Sequence, residues 1–302
     1  MSEECPKRNI FEIIMNTCFI IRQFCRNFAI RIYLDEMRKV LLWILAATLA
    51  IGCDSFQYHP YEVRFDGERN INHNNIIKIE EQCRNLDSLC VAFISDSHHD
   101  YSDLCNMVDD INRRDSIDFV IHLGDLTDTG TIKEFVWARD YLSRLNKPYI
   151  VLIGNHDFLG TGDEIFRKMF GEMDLSFIAG RVKFLCINTN ATEYDHIADI
   201  PNFEFLENAA IADSALFDRS VVCMHARPYS DQFNNNVAKP FEYYVKQMPG
   251  ILFCVNGHDH NLHIDDLFGD SLMYYGLTCT SDRKYMIFNI NKEGYRYEII
   301  DF

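Results

Sequence analysis

The strongest constraint on this chain is an ordered repetition. Five apolar runs of strand length, spread over residues 90–255, each end in a short cluster of aspartate, asparagine or histidine. Residues 90–95 lead into Asp96-Ser97-His98, and residues 119–123 into Gly124-Asp125-Leu126-Thr127-Asp128. Residues 149–153 lead into Gly154-Asn155-His156-Asp157, residues 221–224 into His225, and residues 251–255 into Asn256-Gly257-His258-Asp259-His260. Stretches of helical period lie between the runs. After Ser102, a possible cap, Leu104, Met107, Val108 and Ile111 fall on one helical face, and further helices are expected over residues 131–145 and 203–210. Strands alternating with helices imply a βαβ core. In open α/β sheets ligands sit outside the carboxyl ends of the strands, so five polar clusters at five such ends should converge.

Two more runs complete the strand set. Residues 182–187 read as a strand inside the alternating region. The tail, with runs at 272–275, 284–290 and 295–300, reads as an antiparallel set whose last turn is Asn291-Lys292-Glu293-Gly294. It implies a second sheet or a mixed one. Residues 54–88 are polar and read as a tether leading to a first helix near 74–84. Apolar residues make up 48% and charged residues 25%, a balance that excludes a wholly disordered chain. The formal net charge of −16 argues against stable, sequence-independent binding to nucleic acid. None of the 11 cysteines forms a C-x-x-C pair, so neither a zinc ribbon nor a redox motif is indicated. Several lie inside apolar runs and read as small buried hydrophobes.

The residue types in the five clusters match one chemistry. Two cations about 3.5–4 Å apart can neutralise the anionic oxygens of a phosphoester, generate hydroxide from water and clamp the attacking oxygen. Such a pair needs mixed nitrogen and oxygen donors and a carboxylate between them. Glycine before the donors, at Gly124, Gly154 and Gly257, would let the backbone turn sharply there. Singly, a histidine of this kind is more often an ordinary core or surface residue; the ordered set is what carries weight. His59, His73, His99, His122, His196 and His263 fall outside it and read as ordinary, with His99 near enough to line a cleft.

That ordered set resembles the calcineurin-like metallophosphoesterase superfamily, whose pattern is D-x-H, G-D-x-x-D, G-N-H-[DE], H and G-H-x-H. The match spans about residues 90–260 with no position missing. The resemblance implies an α/β sandwich of two mixed β-sheets flanked by helices, over residues 89–302. It implies that Asp96, His98 and His260 bind one metal, that Asn155, His225 and His258 bind a second, and that Asp125 bridges them. His156 would be the catalytic histidine and Asp128 would orient its ring. The implied activity is hydrolysis of a phosphomonoester or phosphodiester by a hydroxide bridging two divalent ions, with Mn, Fe or Zn suiting the donors. Arg227 could reach a phosphate oxygen or form a surface salt bridge. Asp157 reads as a structural hydrogen-bonding group, and Asp259 as pointing away between its two histidines. Two other functions share the fold: a non-catalytic metal-binding scaffold, which the complete ligand set disfavours, and a nuclease, which the acidic surface disfavours.

The N-terminal region carries a separate signal. Met37-Arg38-Lys39 precedes a mostly apolar run over residues 40–51, followed by Gly52-Cys53-Asp54. This is the layout of an export signal, with an apolar run shorter than the roughly 20 residues of a membrane span. Leu49-Ala50-Ile51-Gly52-Cys53 resembles the lipobox of bacterial lipoproteins, with Ala50 and Ile51 departing from the commonest residues. The resemblance implies a signal peptide over residues 37–53, lipidation of Cys53, and residues 1–36 as an upstream extension. The protein would then be lipid-anchored in a bacterial cell envelope, facing the periplasm or exterior. The alternative is membrane association through an uncleaved N-terminal helix.

Overall fold

Backbone pairing in the computed structural model, which describes residues 10–55, 61–194 and 196–302, resolves the apolar runs into two sheets. The first has the order β11-β10-β1-β2-β3. Strands β1 (Leu89–Ile94), β2 (Phe119–His122) and β3 (Tyr149–Val151) are parallel, while β10 (Lys284–Asn291) and β11 (Gly294–Asp301) add an antiparallel edge. The second has the order β4-β5-β6-β7-β9-β8. Its parallel centre is β5 (Val182–Ile187), β6 (Arg219–Met224), β7 (Ile251–Asn256) and β9 (Tyr274–Gly276). Antiparallel β4 (Leu175–Ala179) and β8 (His263–Asp265) close its two edges. The architecture is the α/β sandwich of two mixed sheets that the sequence implied.

Strand alternation explains the layering. In β1, Val91 and Phe93 face the core between the sheets, with Phe119, Ile121, Phe184, Val221 and Phe253. Ala92 and Ile94 face the other way, against helices α3 (Tyr101–Asn112), α4 (Ile132–Leu142) and α5 (Gly162–Met169). Every residue of β1 is buried, as expected for a strand covered on both faces. The outer face of the second sheet packs on α7 (Phe203–Ile211) and α8 (Ala238–Lys246), through Leu206, Phe241 and Val245. A single turn of helix, α6 (Ala191–Tyr194), follows β5. Leu104, Met107, Val108 and Ile111 are the buried face of α3, though the helix begins at Tyr101 rather than after Ser102. Thr131 and Glu134 form a capping box that starts α4.

Two expectations change. The tail is not one antiparallel set: β9 joins the second sheet parallel to β7, while β10 and β11 complete the first. Periodicity marks a run as a strand but carries no information about its partner. The helix expected near 74–84 is α2 (Ile71–Cys83) and begins earlier. Its polar first turn is not loop, because Asn72 and Asn75 are buried against the edge strand β3. Asn72 donates from Nδ2 to the Val151 carbonyl at 2.8 Å and accepts from the Val151 amide at 2.9 Å, and Asn75 donates to the Tyr149 carbonyl at 2.8 Å. Two side-chain amides thus cap an otherwise open sheet edge. Strands β4 and β8 have no counterpart in the sequence reading.

The chain divides into two units, Met1–His59 and Pro60–Phe302. The described part of the first is one helix, α1 (Ile10–Ser55), with Phe19, Phe24, Leu41 and Trp43 among its exposed apolar side chains. Among the described residues, no helix is long and apolar enough to cross a membrane. Cys53 falls within α1, and its side chain lies outside the described residues, as does His59.

Candidate metal centre

The carboxyl ends of β1, β2, β3, β6 and β7 bring their polar clusters to one place. Main-chain bonds lace the loops together: the Asp96 amide donates to the Gly124 carbonyl and the His98 amide to the Asp125 carbonyl, both at 3.1 Å. The Gly257 amide donates to the His225 carbonyl at 3.0 Å. Across the two sheets, the His258 amide lies 3.2 Å from Asp96 Oδ2.

Two sets of donors share one carboxylate. Asp96, His98, Asp125 and His260 place ligand atoms within 4.8 Å of one another, as do Asp125, His225 and His258. In the first set His98 Nε2 is 3.2 Å from His260 Nε2 and 3.8 Å from Asp125 Oδ2, and His260 Nε2 is 3.2 Å from Asp96 Oδ1. In the second, His225 Nε2 is 3.3 Å from Asp125 Oδ2, and Asn155 Oδ1 lies 3.0 Å from both His225 Nε2 and His258 Nδ1. All seven residues expected as ligands are therefore together. The donor set fits divalent cations: buried carboxylates and inward imidazole nitrogens with mixed nitrogen and oxygen character.

The backbone is bent to achieve this. Asp96, His98, Asp125, His258 and His260 all have positive φ, between 44° and 71°. Non-glycine residues rarely adopt this region, and clusters of them mark sites where the surroundings dictate geometry. No sequence signal announced it. The glycines serve two different ends. Gly124, at φ 106°, does make the turn expected of it. Gly154 and Gly257 are needed for close approach: a Cβ at Gly154 would collide with the Asp125 main chain and carboxylate, and one at Gly257 with Ser95 Oγ and Asp96.

Electrostatics follow from packing negative and imidazole groups in a buried space. Burial opposes ionisation of Asp125, but His225 and His98 beside it hold its carboxyl far below the usual carboxylate range. Burial would lower the His225 pKa, but the Asp125 carboxylate reverses this and raises it to about 9. His225 Nδ1 donates to the Leu123 carbonyl at 2.8 Å, which turns Nε2 towards Asp125. The hydrogen bond to Asp96 likewise raises His260. Asp157 does not join the cluster. Fully buried, it accepts from the amides of Leu126, Thr127 and Gly154 and from Thr127 Oγ1, latching the β2 and β3 loops together. Burial and the neighbouring Asp125 push its carboxyl up to about 7.

His156 sits at the edge of the cluster. Its amide donates to Asp125 Oδ1 at 2.9 Å and its ring Nδ1 to the Asp128 main-chain carbonyl, also at 2.9 Å. The orienting contact expected of Asp128 is thus made by its main-chain carbonyl. Its carboxylate meets His98 Nδ1, at 3.1 Å, and His99 Nδ1, and its oxygen and the ring nitrogens of His98 and His156 lie within 4.8 Å of one another. Arg227 is held at Nε by Asp259, 2.6 Å away, and Asp259 also meets His263 Nε2 at 3.1 Å. Asp259 thus points away from the donors. His122, read as ordinary, is a buried strut: its Nε2 meets Ser97 Oγ at 3.0 Å and its Nδ1 accepts from the Gly124 amide. Burial lowers its pKa to about 4, which keeps it neutral. The sequence reading also missed Asp231, whose carboxylate reaches His258 Nε2; it stands six residues beyond His225 in a loop with no motif.

Fold and site together define an α/β sandwich protein with an aspartate–histidine cluster able to hold metal. The family model for calcineurin-like phosphoesterases matches residues 90–262, which include every residue of that cluster. The chain belongs to the calcineurin-like phosphoesterase family. No curated protein matches the sequence. Among solved structures, GAP50, "the anchor in the inner membrane complex of Plasmodium", is 10% identical with a TM-score of 0.54, covering 72% of this chain and 85% of its own. The purple acid phosphatase PPD1 of yellow lupin seeds is 12% identical with a TM-score of 0.49, covering 72% and 54%. The calcineurin-like phosphoesterase YfkN of Bacillus subtilis is 10% identical with a TM-score of 0.44, covering 71% and 90%. At 10% identity the likeness to GAP50 concerns the fold alone.

Proposed function

We propose that the protein hydrolyses a phosphomonoester or phosphodiester with two divalent cations. The observation that carries this reading is the Asp125 carboxylate shared between two sets of inward-facing donors. Asp96, His98 and His260 would hold one ion, Asn155, His225 and His258 the other, with Asp125 between them. When bound, such a pair neutralises the ester's anionic oxygens and lowers the pKa of water enough for attack near neutral pH. The chain's own residues supply the rest. His156, fixed at Nδ1 by a carbonyl, keeps Nε2 to exchange a proton with the leaving oxygen. Arg227, gripped at Nε by Asp259, would present its terminal nitrogens to an ester oxygen. The donors suit Mn, Fe or Zn. The test is a screen of chromogenic monoesters and diesters with added Mn²⁺ and an EDTA control. Turnover that requires metal is expected; equal turnover after stripping, or none with metal supplied, would refute the reading.

We also propose export and lipid anchoring at Cys53 to a bacterial envelope membrane, supported by the basic residues, apolar run and Gly52-Cys53 junction. Mass spectrometry of the N-terminal peptide from the native host tests it. An unmodified Met1 terminus would end the idea.

A further inference from the structure

We propose that Asp231 is a positioning residue for the cation site, gripping the outer nitrogen of His258 so that the inner one faces the cluster. The inference rests on the two-cation reading above and adds a residue that lies outside the family's motif pattern. The two nitrogens of His258 look in opposite directions. Nδ1 lies 3.0 Å from Asn155 Oδ1, inside the second donor set, while Nε2 lies 2.7 Å from Asp231 Oδ1, on the outside. A carboxylate can only accept, so the ring proton belongs on Nε2 and the lone pair on Nδ1 is left for a cation.

The other rings solve the same problem differently. His225 is oriented by the Leu123 carbonyl, and His98 by the Thr127 carbonyl and Asp128, all on the β2 strand or the loop that follows it. His258 borrows its acceptor from the loop after β6. The Asp231 side chain is 85% exposed, a setting in which an aspartate normally points to solvent without a fixed partner. Its loop is held, however. The Asp231 carbonyl accepts from Thr192 Oγ1 at 3.2 Å and the Gln232 carbonyl from the Ala191 amide at 3.0 Å. On the other side, Asn235 accepts from the Tyr229 amide at 2.7 Å and donates to the Ser230 carbonyl at 2.8 Å. Two anchors thus fix the backbone on either side of the carboxylate and aim it at the ring.

The test is calorimetric titration of metal-stripped, full-length protein with Mn²⁺, comparing wild type, Asp231→Ala and Asp231→Asn, with thermal unfolding of the stripped proteins alongside. Loss of an outer partner of a metal-binding histidine weakens affinity by about 10–100-fold. Asp231→Ala should lose that much at one of two sites and leave the other unchanged, with no change in the melting temperature of the stripped protein. Asp231→Asn should keep most of the affinity, since its amide oxygen still accepts from Nε2. Unchanged affinity at both sites in Asp231→Ala would overturn the proposal. So would an asparagine variant as weak as the alanine one, which would show that charge and not ring orientation is at work. A wild-type protein that takes up no Mn²⁺ would instead sink the two-cation reading, and this proposal with it.

Discussion

At the scale of single residues, Asp125 and His156 divide the work of the site, and substitution separates them. Asp125 lies in contact with both donor sets, and its Oδ1 also accepts the His156 amide. Asp125→Asn keeps the shape but removes the shared negative charge. It should abolish turnover and weaken metal binding together. His156→Ala should abolish turnover while leaving metal uptake intact, because the His156 ring belongs to neither of the sets that share Asp125. Full activity in either variant, assayed on a chromogenic ester, would refute the assignment. Gly154 offers a third test. Its missing side chain is the space that Asp125 occupies, so Gly154→Ala should displace that carboxylate and lower metal affinity by at least tenfold, read by the same Mn²⁺ titration.

At the scale of elements, the outer face of the second sheet carries a buried acid that is not part of the cluster. Glu242 on α8 is 5% exposed and accepts from the Tyr274 hydroxyl on β9 at 2.5 Å. Burial pushes its carboxyl up from 4.5 to about 7, with Tyr274 opposing the shift. The sign follows directly. Between pH 4.5 and about 7 the folded protein holds a proton that the unfolded chain has released. Stability therefore falls as pH rises through that window and levels off above it. Asp157 and Asp174, raised to about 7 and about 6, act in the same direction. Glu242→Gln keeps an acceptor for Tyr274 without a titrating group. Its melting temperature should decline less steeply over this range than that of the wild type. Parallel melting curves for the two proteins would contradict the assignment.

At the scale of the whole molecule, five loops from two sheets meet at one cluster, so a bound cation ties distant parts of the chain together. Binding that favours only the folded state stabilises it by about 2.7 kcal/mol at a free concentration one hundred times the dissociation constant. For a folded unit of this size that corresponds to roughly 5–10 °C in melting temperature. Mn²⁺ should raise the melting temperature of stripped protein by about this amount and EDTA should reverse it. The gain should shrink in Asp125→Asn, since that carboxylate serves both donor sets.

The sequence by itself determined which segments become the strands that lead into the cluster and which residues stand at their carboxyl ends. An apolar run punctuated by Asp96, Asp125, Asn155, His225 or His258 is a local pattern, and local patterns follow from burial and backbone period. The helical face of α3 was legible for the same reason. Tertiary structure decided everything that depends on a neighbour far along the chain. It assigned β9 to the second sheet and set Asn72 against the edge of β3. It set the Asp128 carboxylate against His98 and its carbonyl against His156, and brought Asp231 to His258. It also imposed the positive φ angles of five donor residues, a strain that no residue in isolation would choose. Strand pairing and side-chain partnership are long-range choices. They are made by which surfaces meet once the two sheets pack, and the order of residues along the chain does not encode them locally.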